Sequence, residues 1–175
     1  MTVTATELIG KAIQGYEDLQ AASTTFKNRI GVGTTTPQAR DRIFYPHLDA
    51  PDDYPTPFFT ITPDLASMSR DDSSYRTNQV SLIVRCCDVA REPVDTPLSL
   101  KDCLIDFLNF AGGAFTDAFE ASQTGSGVIT IQSMADVEPV AFTDPRKESE
   151  TSSGRPYCLM TRRVVVAITG GGGQQ

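Results

Sequence analysis

The residues with most chemical potential are one histidine, four cysteines and a glycine pair, and none has the neighbours its chemistry needs. His47 stands in the proline-rich stretch PHLDAPDDYPTP beside Asp49, Asp52 and Asp53. A general base must lie within hydrogen-bond reach of the proton it removes, and a triad needs a nucleophile and an orienting group around it. Nothing in the spacing supplies these, so a hydrolase built on His47 is a remote alternative and the chain is expected not to be an enzyme. The aspartates could attract a cation weakly, but they lack the spacing and glycine of a calcium-binding EF-hand loop. Cys86, Cys87, Cys103 and Cys158 show no Cys-x-x-Cys or zinc spacing. Cys103 lies on a helical face beside leucine and reads as a small core residue. Cys86 and Cys87 are adjacent in a strand and face opposite ways, one into the core and one outward or toward an interface. A cross-subunit disulfide is the less favoured reading in a reducing compartment. Gly31-Val32-Gly33 is followed by neither a third glycine nor Lys-Thr, which makes it a connector rather than a phosphate loop. No catalytic residue, cofactor or metal is expected.

The totals narrow the class further. A length of 175 residues favours one domain with a real core, and 39% apolar with 21% charged residues is a folded rather than a disordered profile. No apolar run approaches the roughly 20 residues that span a bilayer, so no membrane association is expected. The stretch MTVTATELIGK has no basic and apolar signal segments, which points to synthesis and use in the cytoplasm. A net charge of −7 argues against binding a nucleic-acid backbone. It is compatible with an acidic wall past which a polyanion moves without sticking.

These residues must be positioned by a small set of elements. Asn78–Cys86 is the best strand signal, with Val80, Leu82, Val84 and Cys86 on one face and Ser81, Ile83, Arg85 and Cys87 on the other. Phe58–Thr62 alternates well enough to pair with it, across a long polar loop at 63–77. Thr4 and Glu7 have capping-box spacing ahead of an amphipathic helix ending near Ala22. A polar Thr/Gly segment at 23–40 reads as a connector loop on which Phe26 and Ile30 dock one short turn. Asp41–Tyr45 is a short strand candidate. Thr96-Pro97 opens a second helix whose apolar stripe is Leu100, Cys103, Leu104, Phe107, Leu108 and Ala111. It is expected to stop at Gly112-Gly113, with a turn or two beyond, and to lay Leu104, Phe107 and Leu108 over the Val80/Leu82/Val84/Cys86 face. Gly127–Ser133, extended toward Val137, is a strand, and 143–156 is a charged loop. Tyr157–Thr169 is the last strand, apolar on both faces over Val164–Ile168, so its second face is expected to be covered or to meet another subunit. Residues 170–175 form a flexible Gly-rich tail. The fold class is therefore α+β: one domain over 1–169, with a small mixed, mainly antiparallel sheet of four to five strands and two amphipathic helices on one face.

This order resembles the tail terminator (tail-completion, minor tail protein U-like) proteins of long-tailed bacteriophages. The likeness rests on Arg42-Ile43-Phe44-Tyr45-Pro46 leading through Asp52-Asp53-Tyr54-Pro55 into Pro57-Phe58-Phe59-Thr60-Ile61. It rests also on Tyr75–Cys86 feeding a capped helix, and on the polar loop before the closing strand from Glu148 to Ile168. The long 23–40 connector, the adjacent cysteines and the glycine tail depart from the family pattern. The resemblance implies a structural virion protein at the neck, assembled in the host cytoplasm. It would be a homo-oligomer, a hexameric ring that caps the tail tube, stops its polymerisation and joins it to the head connector or stopper protein. A sheath protein would be a further partner if the tail is contractile, and genomic DNA would pass through the lumen without specific binding. Another neck, tube or baseplate part is the alternative. Candidate subunit or tube contacts are Arg70, Asp71, Asp72, Arg76, Arg146, Lys147, Arg162 and Arg163.

Overall fold

A computed structural model describes residues 5–45, 55–65, 78–89, 97–124, 127–143 and 157–168. In chain order the elements are α1 (Ala5–Ala22), α2 (Thr24–Ile30), α3 (Thr36–Arg40), β1 (Ile43–Phe44), β2 (Phe58–Pro63), β3 (Gln79–Val89), α4 (Pro97–Ser122), β4 (Ile129–Asp136), β5 (Ala141–Thr143) and β6 (Tyr157–Ile168). The strands lie in the order β1-β2-β3-β6-β4, with β5 also paired to β6. Among the described residues only the β1–β2 pairing is parallel. The fold is thus the expected mixed, mainly antiparallel α+β arrangement, and the expected β2–β3 antiparallel pair is present. The five-strand path matches the expected size; the Asp41–Tyr45 candidate narrows to the two-residue β1, and the unforeseen three-residue β5 pairs with β6 off that path.

Alternation along β3 builds the core. Val80, Leu82, Val84 and Cys86 are buried on one face, opposite Val166, Val164, Arg162 and Met160 of β6. Leu8, Ala12 and Tyr16 of α1 and Phe107, Ala111, Ala114, Phe115 and Ala118 of α4 close over this face. At its centre the Phe59 ring meets Phe26 at 4.9 Å and Phe115 at 5.6 Å, both edge to face. Such pairs add roughly 0.5–1.5 kcal/mol beyond their area burial.

Two expectations need correction. The 23–40 segment is not a connector loop. Its hydroxyls are caps: Ser23 Oγ accepts from the Phe26 N–H at 3.1 Å to start α2. Thr35 and Gln38 form a capping box with Pro37 inside the first turn of α3. The second helix does not stop at Gly112-Gly113 but runs unbroken for 26 residues. Gly113 serves packing instead, because a Cβ there would sit 3.1 Å from Thr25 Cγ2, so its absence lets α2 close onto α4. With the helix extended, its inward stripe follows Phe107, Phe110, Ala111, Ala114 and Phe115. Leu104 is left half-buried and Leu108 37% exposed, so of the three residues expected over β3 only Phe107 is fully buried. Gly15 plays the same part on α1, where a Cβ would meet Ile129 Cγ2 at 2.7 Å.

Candidate assembly surface

Among the described residues the close contacts between helices and sheet fall on one face. Phe59 touches α2 and α4, Ile129 closes on Gly15 of α1, and the Arg162 guanidinium lies 4.8 Å from the Phe115 ring centroid of α4. The opposite face carries Thr60 and Thr62 of β2, Ser81, Ile83, Arg85 and Cys87 of β3, and Leu159, Thr161, Arg163 and Val165 of β6. Among the described residues no helix covers it. Ile83, Leu159, Val165 and Ala167 are half-buried there, whereas Phe58, Cys87, Thr60 and Thr161 are buried, so the protomer itself covers part of this face. Thr62 Oγ1 and Ser81 Oγ are buried there without bonding to a protein group. The face is a mixture of aliphatic side chains, hydroxyls and two arginines, unlike the aliphatic and aromatic lining beneath the helices.

The candidate contact residues divide accordingly. Arg162 points under the helices, where its Nε donates to Asp136 Oδ1 at 2.8 Å and its plane stacks on Phe115. It sits at mid-strand opposite Val84, and its side chain is 23% exposed. Arg163, one residue on, points the other way and is 49% exposed, with Nε donating to Asp64 Oδ2 at 2.9 Å. Arg70, Asp71, Asp72, Arg76, Arg146 and Lys147 lie outside the described residues, as do His47, Asp49, Asp52 and Asp53.

A second polar cluster stabilises the rim of the helix layer. Arg29 of α2 donates through Nε to Asp88 at 2.7 Å and through Nη2 to Asp106 of α4 at 2.7 Å, and lies 5.0 Å over the Phe110 ring. Burial works against the charged guanidinium, but the bonds to Asp106 and Asp88 outweigh it and hold the guanidinium more firmly protonated than usual. Sequence reading missed this cluster because its members are 59 and 77 residues from Arg29. On the other side of α2, Asp117 of α4 accepts from Ser23 Oγ at 2.7 Å and from the Thr25 N–H at 2.9 Å, a cap supplied in trans.

The four cysteines are free and buried. Burial pushes the Cys87 and Cys158 thiols up to about 12 and raises Cys86 well above the ordinary thiol value, with neighbouring Asp88 adding to each. Thiols so far from ionising are poor nucleophiles and poor metal ligands. Among the described residues no group of three or more His, Cys, Asp or Glu side chains is placed to hold a metal ion, and no helix is long and apolar enough to cross a membrane. Neither a protein-family model nor a curated protein matches the chain.

Proposed function

We propose that this chain is a structural virion protein, a tail terminator whose copies form a ring that caps a phage tail tube and joins it to the head connector. The observation that carries the reading is the one-sided layering of the sheet. Among the described residues the helices lie on one face, while Ile83, Leu159 and Val165 are half-buried on the other beside Arg85 and the Asp64-paired Arg163. A subunit designed to work alone gains by covering such a face, whereas a subunit of a ring leaves it for its neighbour. The family likeness in the element order supplies the tail, the tube and the connector as partners. The acid-rich composition suits a lumen that DNA traverses without adhering. Size-exclusion chromatography with light scattering over a wide concentration range is the first test. Discrete assembly to a closed species supports the reading, open-ended fibres favour a tube protein, and a strict monomer that also ignores tail tubes sinks both.

A further inference from the structure

The end of α4 stands where a further strand would pair with the sheet. Among the described residues β4 ends the strand order, and Val128-Ile129-Thr130-Ile131 at its start is an uncharged run of β-branched residues with Val128 48% exposed. An unpaired edge of that composition is a template for another chain's strand. At Ile131 both outward backbone groups are already taken, by two consecutive side chains at the helix end. The Ile131 N–H donates to Ser122 Oγ at 3.1 Å, and Gln123 Nε2 donates to the Ile131 carbonyl at 2.9 Å. One acceptor and one donor presented to the same residue is what an antiparallel neighbour would supply.

The two side chains are fixed in place for this contact. Ser122 is 1% exposed, and its hydroxyl donates to the Phe119 carbonyl at 2.7 Å while accepting from Ile131 and from Gln123 Nε2, 3.0 Å away. That uses its one donor and both lone pairs. One residue on, the ladder is interrupted: Ile131 stands opposite Val166 and Ser133 opposite Val165, leaving Gln132 as an extra residue. A bulge at an edge bends the strand away from an incoming partner. Past it, the Val137 N–H donates to the Thr161 carbonyl at 3.1 Å, so alternation turns the backbone groups of Met134 and Asp136 outward. Among the described residues nothing bonds them there. The apolar half of the edge is thus closed, and the half carrying the Asp136 carboxylate is left open. We infer that Ser122 and Gln123 act as a surrogate strand, an edge guard that keeps the 128–131 run of one copy from pairing with the same run of another. The guard confines self-association to other surfaces and does not depend on a place in a tail.

Amide exchange on the full chain, followed by NMR, tests the guard with no substitution at all. The Ile131 amide should exchange as slowly as the ladder amides of Thr130 and Ser133. Those of Met134 and Asp136 should exchange about tenfold faster, the worth of one net hydrogen bond. Equal exchange at Ile131 and Met134 would overturn the guard. Ser122→Ala with Gln123→Ala should release Ile131 to the Met134 rate. The same double variant, its fold checked by circular dichroism, should form thioflavin-T-positive fibres whose yield rises with concentration. Adding Val128→Lys, a charge on an exposed side chain of the same run, should cut that yield about tenfold. Such fibres from wild type, a folded double variant as soluble as wild type, or fibres indifferent to Val128→Lys would each overturn the inference. If the double variant unfolds, Gln123→Ala alone removes one bond from an exposed side chain and should move the Ile131 rate and the fibre yield part of the way. No change from it would likewise overturn the guard.

Discussion

Replacing Arg29 by methionine is the substitution with the largest consequence for the helix layer. Asp88 has a side chain only 5% exposed, and its Oδ2 sits 2.7 Å from Arg29 Nε. Without Arg29 that carboxylate loses its ion pair with α2, and breaking a buried pair from one side costs about 3–5 kcal/mol. Asp106 is 52% exposed and is rehydrated at little cost, since surface pairs contribute about 0–1 kcal/mol. The lost stacking on Phe110 adds about 0.5–1 kcal/mol, which methionine packing partly restores. The expected total is about 4 kcal/mol, a large share of the 5–15 kcal/mol that holds a domain of this kind together. Urea unfolding reads it directly: with a slope of about 2 kcal/mol per molar, the midpoint falls by about 2 M. Adding Asp88→Asn removes the buried negative charge while keeping an acceptor for the Val89 N–H, which donates to Asp88 Oδ1 at 2.9 Å. The double variant should therefore recover more than half of the loss. A cost below about 1 kcal/mol for the single variant, or no recovery in the double, would refute the view that a desolvated ion pair joins α2 to the end of β3.

Gly15→Ala should cost about 1–3 kcal/mol in the same assay, because its Cβ would sit 2.7 Å from Ile129 Cγ2, and Ile129→Val should relieve part of the cost. Asp117→Ala should cost about 0.5–2 kcal/mol by uncapping α2. Burial alone would raise the Asp117 carboxyl, but hydrogen bonds from Thr25, Ser23 and Thr24 outweigh it and hold the carboxyl below the ordinary carboxylate range. Its stabilisation is thus fully present above the unfolded value of about 3.9 and lost as pH falls through the lower folded value. Wild type and Asp117→Ala should therefore converge in stability at the acid end of a pH series, and a gap that widens there would contradict the cap. The four thiols should react with a disulfide reagent only at the rate of opening, and stoichiometric labelling of native protein within minutes would show that they are not buried.

Local pattern carried the parts of the fold that depend on one face of one element. Strict alternation in β3 gave its inward and outward residues correctly, and the double apolar run in β6 announced a strand with demands on both faces. The missed helices α2 and α3 are short, seven and five residues, so no apolar period could develop, and their Ser-Thr and Thr-Pro caps looked like loop composition. Gly112-Gly113 was misread because a helix-stopping pair and a helix-packing pair are identical in sequence; only the approach of Thr25 distinguishes them. The inward reading of Leu108 followed from the same error, since a helix ending at Gly113 would be centred on a different stripe. Of the candidate contact residues, Arg163 faced outward as a strand neighbour of Val164 should. Arg162 turned inward because the helix face of β6 closes on Phe115, a partner supplied by the part of α4 that had been cut short.

The most direct measurement is the growth of tail tubes from purified tube protein with and without this chain, read by negative-stain electron microscopy. Tubes should stop elongating and carry one ring of this protein at one end. Tubes that grow to the same lengths with no density added at either end would contradict the terminator reading.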